Sequence, residues 1–208
     1  MDFKEEITVY ENTDSQDVYI SKIGTVPILF TAAHTMTQFF DNGTIKLAEP
    51  YTKAICMYLN QHCNTSYLIK IKDTGMDSNR DNHDDFKKEL VKIVRDNNIK
   101  LVIDLHGAKM ERNFDIEFGT LNNLTADFST IKELEEAFLE NNITNIEHNE
   151  PFKGGAITQY LYNFKDVDVI QLEINGRFRD LNNIENLEQL CDALMCFINQ
   201  YVNYTNDL

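Results

Sequence analysis

Leu101-Val-Ile-Asp-Leu-His-Gly-Ala108 opens as an unbroken run of aliphatic and β-branched residues, the pattern of a strand covered on both faces, and closes on Asp104, His106 and Gly107. Asp104 and His106 are two residues apart, so on a strand they project to the same face. They sit at the strand's carboxyl end, which is where open α/β sheets bind ligands. The alternative is a strand that stops in a turn, with Asp104 accepting backbone N–H groups and His106 half exposed. Other stretches finish in the same way. Val26-Pro-Ile-Leu-Phe-Thr-Ala-Ala-His34 is a second buried strand ending at a histidine. Ser66-Tyr-Leu-Ile-Lys-Ile-Lys72 delivers the polar loop 73–83, which contains Asn79-Arg80. Val167-Asp-Val-Ile-Gln-Leu-Glu-Ile174 carries Glu173 inside an apolar run.

Helical patterns lie between these strands. One starts at Glu49-Pro-Tyr-Thr and runs to about His62, with Pro50 near its first turn. Another is capped by Asp84 or Asp85 and runs to about Asn97 on Leu90, Val91 and Val94. Further helices are expected over 130–141 and from 184 to about 204, with short strands over 114–120 and 144–147 and a helical turn or two over 156–162. Ile7-Thr-Val-Tyr10 and Val18-Tyr-Ile20 read as an edge hairpin around the polar turn at 11–15. Strands alternating with helices predict a three-layer α/β/α fold around a mostly parallel mixed sheet. The expectation is one domain: a hairpin over 1–25, a core over 26–180 and a closing helix over 181–208.

With 208 residues, 42% hydrophobic and 25% charged, the chain has the composition of a globular domain. A net charge of −15 argues against nucleic acid or an anionic membrane as partner, since both need a basic surface. A site for an anionic substrate must then concentrate the few arginines: Arg80, Arg95, Arg112, Arg177 and Arg179. The start Met1-Asp-Phe-Lys-Glu-Glu is not a signal peptide pattern and no apolar run is long enough to span a bilayer, which predicts a cytoplasmic location. Cys56, Cys63, Cys191 and Cys196 lack paired C-x-x-C spacing and read as reduced thiols.

His34 and His106, each ending a parallel strand, can share one metal ion through neutral imidazoles. Catalytic zinc takes three protein ligands, and Glu49, a short polar loop beyond His34, is the best-placed third. Against that, an acidic residue in the first turn of a helix is favoured by the helix dipole alone. Glu173 in its apolar strand reads as a general base raised by desolvation, or else as a carboxylate paired with Arg177 or Arg179. Arg80 beside Asn79 suits bidentate capture of a substrate carboxylate, or else neutralises Asp77, Asp81 or Asp84. Arg112, Arg177 and Arg179 are candidates for a second anion contact. Arg177 is preferred, because Gly176 beside it permits close approach. His62, His83 and His148 read as surface histidines.

Five motifs in order carry a resemblance: Pro27-Ile-Leu-Phe-Thr-Ala-Ala-His34, Glu49-Pro-Tyr-Thr52, Asp77-Ser-Asn-Arg-Asp81, Ile103-Asp-Leu-His-Gly107 and Gln171-Leu-Glu-Ile-Asn175. Together they resemble the N-formylglutamate amidohydrolase family, with the poly-γ-glutamate hydrolases and zinc carboxypeptidases behind it. The resemblance implies a zinc-carboxypeptidase-like fold, His34 and His106 as zinc ligands, Asn79 and Arg80 on a substrate carboxylate, and Glu173 as general base. It further implies a small carboxylate-bearing substrate with an amide bond. In the carboxypeptidases the acidic ligand stands three residues after the first histidine, a position occupied here by Thr37. Glu49-Pro-Tyr-Thr52 resembles the poly-γ-glutamate hydrolase pattern with a longer intervening loop, so the ligand carries over to Glu49; otherwise Asp104 holds the metal, or none is held. The other readings are a degenerate relative that binds a carboxylate without hydrolysis, favoured by Thr37, and a phosphoryl- or nucleoside-directed enzyme, for which no phosphate-cradling glycine loop is found.

Overall fold

The computed structural model describes residues 1–81, 84–164 and 166–206, so His83 lies outside the described residues. Its centre is a seven-stranded sheet built from β1 (Tyr19–Lys22), β2 (Ile28–Ala32), β5 (Ser66–Lys70), β6 (Leu101–Ala108), β7 (Ile116–Gly119), β8 (Ile146–His148) and β9 (Asp168–Asn175). Across the sheet they lie in the order β1-β5-β2-β6-β9-β7-β8. β5, β2, β6 and β9 run parallel, while β1 and β7 pair antiparallel with β5 and β9. A separate two-stranded hairpin, β3 (Gln38–Phe39) with β4 (Ile45–Lys46), folds residues 35–46, which the sequence leaves as a polar segment with an Asp41-Asn-Gly turn.

Helices cover both faces, giving the expected three layers around a mostly parallel mixed sheet. One face carries α1 (Phe3–Glu11), α2 (Thr52–Cys63), α4 (Phe128–Glu140) and α6 (Ile184–Asn206), packed on Leu101, Ile103 and Leu105 of β6 and Ile170, Leu172 and Ile174 of β9. The other carries α3 (Asp85–Asp96) and α5 (Ala156–Leu161), whose Phe86, Leu90, Ile157 and Leu161 meet Leu29, Val102 and Val169. Strand alternation places Thr31, Asp104, His106, Gln171 and Glu173 on that second face, all toward the carboxyl ends of the central strands. A small apolar core closes one half of the face, and the polar row occupies the other. No helix among the described residues is long and apolar enough to cross a membrane.

Two expectations are corrected. Residues 3–11 form a helix rather than the first arm of a hairpin. Asp2 caps it, accepting from the Glu5 N–H at 2.8 Å, and Phe3, Ile7 and Tyr10 recur at helical spacing to pack with α2. β1, the other expected arm, is an edge strand as foreseen but pairs with β5. The helix after Glu49 starts at Thr52, with Tyr51 left-handed at φ 66°, so Glu49 precedes the helix and the dipole reading of its position falls away.

Ile7 is fully buried and Val9 is 53% exposed; in a strand the two would share a face. Ile7→Ala should therefore destabilise by about 2–4 kcal/mol and Val9→Ala by less than about 0.5 kcal/mol, measured by urea unfolding. Equal losses at both positions would contradict the helix.

Candidate active site

Three chain segments meet where β2 and β6 end. His34 stands two residues past β2, and the chain leaves it through the β3–β4 hairpin. It then returns, the Glu49 N–H donating to the His34 carbonyl at 2.8 Å. Thr37 stands at the neck of that excursion, its Oγ1 accepting from the Ala48 N–H at 3.4 Å. The return places the Glu49 carboxylate between two imidazoles. Its Oε1 is 3.2 Å from His34 Nδ1 and its Oε2 is 3.3 Å from His106 Nδ1. The rings stand 5.0 Å apart, and one donor atom from each of the three residues lies within 4.8 Å of the others. All three are buried.

The far nitrogens are held by carboxylates. His34 Nε2 meets Asp77 Oδ1 at 2.7 Å and His106 Nε2 meets Asp104 Oδ2 at 2.8 Å, while Asp104 Oδ1 accepts from the Thr31 hydroxyl at 2.6 Å. Glu49 is fixed from two more sides, by Lys46 Nζ at 2.7 Å and by the Gly107 N–H at 2.9 Å. Burial pushes Asp77 up, but its hydrogen bond and charge interaction with His34 win and hold it at about 2. Burial likewise acts against the charges of Glu49 and His106. Their mutual attraction, with Asp104 behind His106, holds Glu49 well below the ordinary carboxylate range and His106 well above the ordinary imidazole range. Two imidazoles, each turned inward at Nδ1 and oriented by a carboxylate at Nε2, with a third carboxylate between them, fit the donor set and the outer support of a catalytic zinc site.

Glu173 stands next to His106 as its partner in the β6·β9 ladder and is 6% exposed. Its Oε1 accepts from Gln171 Nε2 at 2.8 Å, and Gln171 Oε1 accepts from the Gly155 N–H. Neither Arg177 nor Arg179 pairs with it, so the ion-pair alternative is not what the structure shows. Burial raises Glu173, with the charge of Glu49 adding to the effect and His106 opposing it. Asn79 faces His106 Nε2 at 3.3 Å, and its Oδ1 accepts from the Ile157 N–H at 3.2 Å.

The arginines divide. Arg80 is half exposed, donates to Asp81 through Nε and Nη2 at 2.9 and 3.2 Å, and lies 4.6 Å over the Phe40 ring. Arg177 contacts Asp115, and no contact joins it to the histidine cluster among the described residues. Arg112 lies over the Phe152 ring. Arg179 is buried and donates to three main-chain carbonyls, Ile174, Pro50 and Ala108, at 3.1, 2.9 and 2.9 Å. It therefore ties the Glu49-Pro50 segment to β6 and β9 rather than binding an anion. His62 and His148 pair with Glu6 and Glu135 away from the cluster. The four thiols are free, and burial pushes Cys56 and Cys191 well above the ordinary thiol range. Sequence reasoning missed Lys46, Gln171 and the clamping role of Arg179, and it weighed Asp104 as an alternative ligand, where the structure sets its carboxylate against His106 Nε2. Only Gln171, a polar residue two before Glu173 on the same strand face, left a readable signal.

The model of the N-formylglutamate amidohydrolase family matches residues 79–178. No curated protein matches the chain by sequence. Similar solved structures include an N-formylglutamate amidohydrolase from Ralstonia eutropha JMP134, 13% identical with a TM-score of 0.72, covering 90% of this chain and 98% of that one. A bacteriophage poly-γ-glutamate hydrolase is 13% identical with a TM-score of 0.59, covering 95% of each chain. A metallo-carboxypeptidase from Burkholderia cenocepacia is 13% identical with a TM-score of 0.53, covering 86% of this chain and 57% of that one. These neighbours share the fold, and the family match supports a hydrolase activity.

A Cβ on Gly107 would lie 2.5 Å from Arg179 Cζ and within 2.7 Å of both terminal nitrogens. Gly107→Ala should displace the clamp and destabilise by about 1–3 kcal/mol, read as a lower urea midpoint. A wild-type midpoint would show that Arg179 does not depend on the missing side chain.

Proposed function

We propose that the chain is a zinc-dependent amidohydrolase that cleaves a C–N amide bond in a small carboxylate-bearing substrate of the N-acyl amino acid or glutamyl type. The observation that carries this reading is the convergence of His34 Nδ1, His106 Nδ1 and the Glu49 carboxylate, each held from outside, beside a buried Glu173. His34, Glu49 and His106 would hold the ion. When bound there, zinc supplies a Lewis acid that polarises the scissile carbonyl and makes water acidic enough to ionise near neutrality.

The remaining work belongs to the chain. Glu173, desolvated and therefore more basic than an exposed glutamate, accepts the proton of the attacking water and returns it to the departing nitrogen. Gln171 holds one of its oxygens and leaves the other for this transfer. Asn79, whose amide faces His106, and Arg80, one residue on and open to solvent, hold the substrate carboxylate. The guanidinium fork then exchanges Asp81 for the substrate. Asp77 and Asp104 keep Nδ1 of each imidazole directed inward.

Purified wild type should carry one zinc per chain, and His106→Ala should carry none. Glu173→Gln should keep the metal and lose roughly 100-fold or more in hydrolysis of N-acyl amino acids or glutamyl peptides. A fully active Glu173→Gln variant would sink the mechanism. Absence of metal in the wild type, even after zinc is added, would leave a carboxylate-binding protein with Arg80 as the residue to test.

A further inference from the structure

Glu117 is a buried carboxylate of the second face that the proposed reaction does not use. It lies on β7 directly opposite Glu173 in the antiparallel β7·β9 ladder, so the two carboxyl groups leave the sheet side by side on one face. Glu117 is fully buried and Glu173 nearly so. Among the described residues neither has a lysine or arginine partner. Glu117 Oε1 accepts from the Phe152 N–H at 2.6 Å, while Oε2 is sealed from solvent with no hydrogen-bond partner.

We propose that Glu117 is a positioning residue for Glu173: a carboxylic acid that keeps its proton at neutral pH and donates it in a hydrogen bond to the Glu173 carboxylate. The proposal rests on Glu173 being the general base. A buried carboxylate oxygen can only accept, and an unmatched acceptor is unfavourable; a proton converts it into a donor. The acceptor that the ladder sets opposite is Glu173. Two adjacent carboxyls in a desolvated site do not both ionise, so the pair holds one proton between them.

Position decides which carboxyl keeps it. The charged side chains that the ladders set beside Glu117 are acidic on both sides, Glu173 on β9 and the exposed Glu147 on β8, and from the covering loop it receives main-chain N–H groups at 150–152. Glu173 has Glu117 on one side but the imidazole of His106 on the other; the charge of Glu49 acts against its ionisation, those of His106 and Lys46 favour it, and it accepts from Gln171. In line with this, burial, opposed by the Phe152 N–H and reinforced by Glu173, pushes Glu117 up to about 7. The protonated neighbour leaves Glu173 ionised and fixes its rotamer.

The test is the infrared difference spectrum of substrate-free wild type against Glu117→Gln at neutral pH, read beside kinetics. The wild type should show the C=O stretch of a protonated carboxyl, and the variant should lose it. The Gln amide also donates, so Glu117→Gln should keep kcat within about threefold, whereas Glu117→Leu should lose roughly 10–100-fold in kcat at unchanged KM and metal content. Absence of the band in the wild type overturns the proposal, and so does a Gln variant as slow as Leu. The spectrum needs only the wild type if a variant fails to fold, because the band should vanish as the pH is raised. A band present without any hydrolysis upholds the shared proton and removes the general-base reading; an active enzyme without the band does the reverse.

Discussion

The parallel ladder between β6 and β9 runs for eight residue pairs, from Leu101 opposite Asp168 to Ala108 opposite Asn175, and the chemistry of the second face hangs on its phase. In that phase Asp104 meets Gln171 and His106 meets Glu173. A slip of one residue would send His106 and Asp104 into the large apolar core and bring Leu105 to the polar row. The register is held because Leu101, Ile103 and Leu105 on one side and Val102 on the other are buried against different helices. Hydrophobic burial of roughly 1.5–3 kcal/mol for each such side chain therefore sets the separation of the polar groups indirectly.

The site is assembled from acids in a chain that is already strongly acidic. Glu49, Asp77, Asp104 and Glu173 crowd around two imidazoles, and among the described residues Lys46 is the ammonium that reaches them. Such a cluster is unfavourable unless its negative charge is matched, and the backing of each imidazole by its own carboxylate shows how that charge is distributed. The buried Arg179 adds a cation behind Glu49 without touching it. Its guanidinium is bound to main-chain carbonyls, and Gly107 leaves it room. One glycine thus serves both sides, donating its N–H to Glu49 and yielding its missing side chain to the arginine.

The segment 151–157 closes the other flank by the same means. Three of its backbone N–H groups donate to Glu117, Gln171 and Asn79, and a Cβ on Gly155 would overlap the Asn79 amide. Side chains of β7, β9 and the loop after β5 therefore hold the segment, and the segment in turn fixes them.

Much of this was legible in the sequence. Apolar runs ending in Asp104-x-His106, His34 and Glu173 identified the central strands and the polar row, since a strand's period of two assigns faces without knowledge of its neighbours. The five ordered motifs pointed to the family whose model matches residues 79–178. The first helix was misread because Ile7-Thr-Val-Tyr has β-branched residues that alternate weakly, and only packing of Phe3, Ile7 and Tyr10 on α2 selects the helix. Nothing in the alternating stretch Phe114-Asp-Ile-Glu-Phe singles out Glu117, because local pattern cannot tell that both faces will be covered. Which carboxylate backs which imidazole, and that Arg179 serves the main chain while Arg80 stays open, are contacts between residues far apart in sequence. Local spacing determines the face on which a side chain emerges; only the fold decides what it meets there.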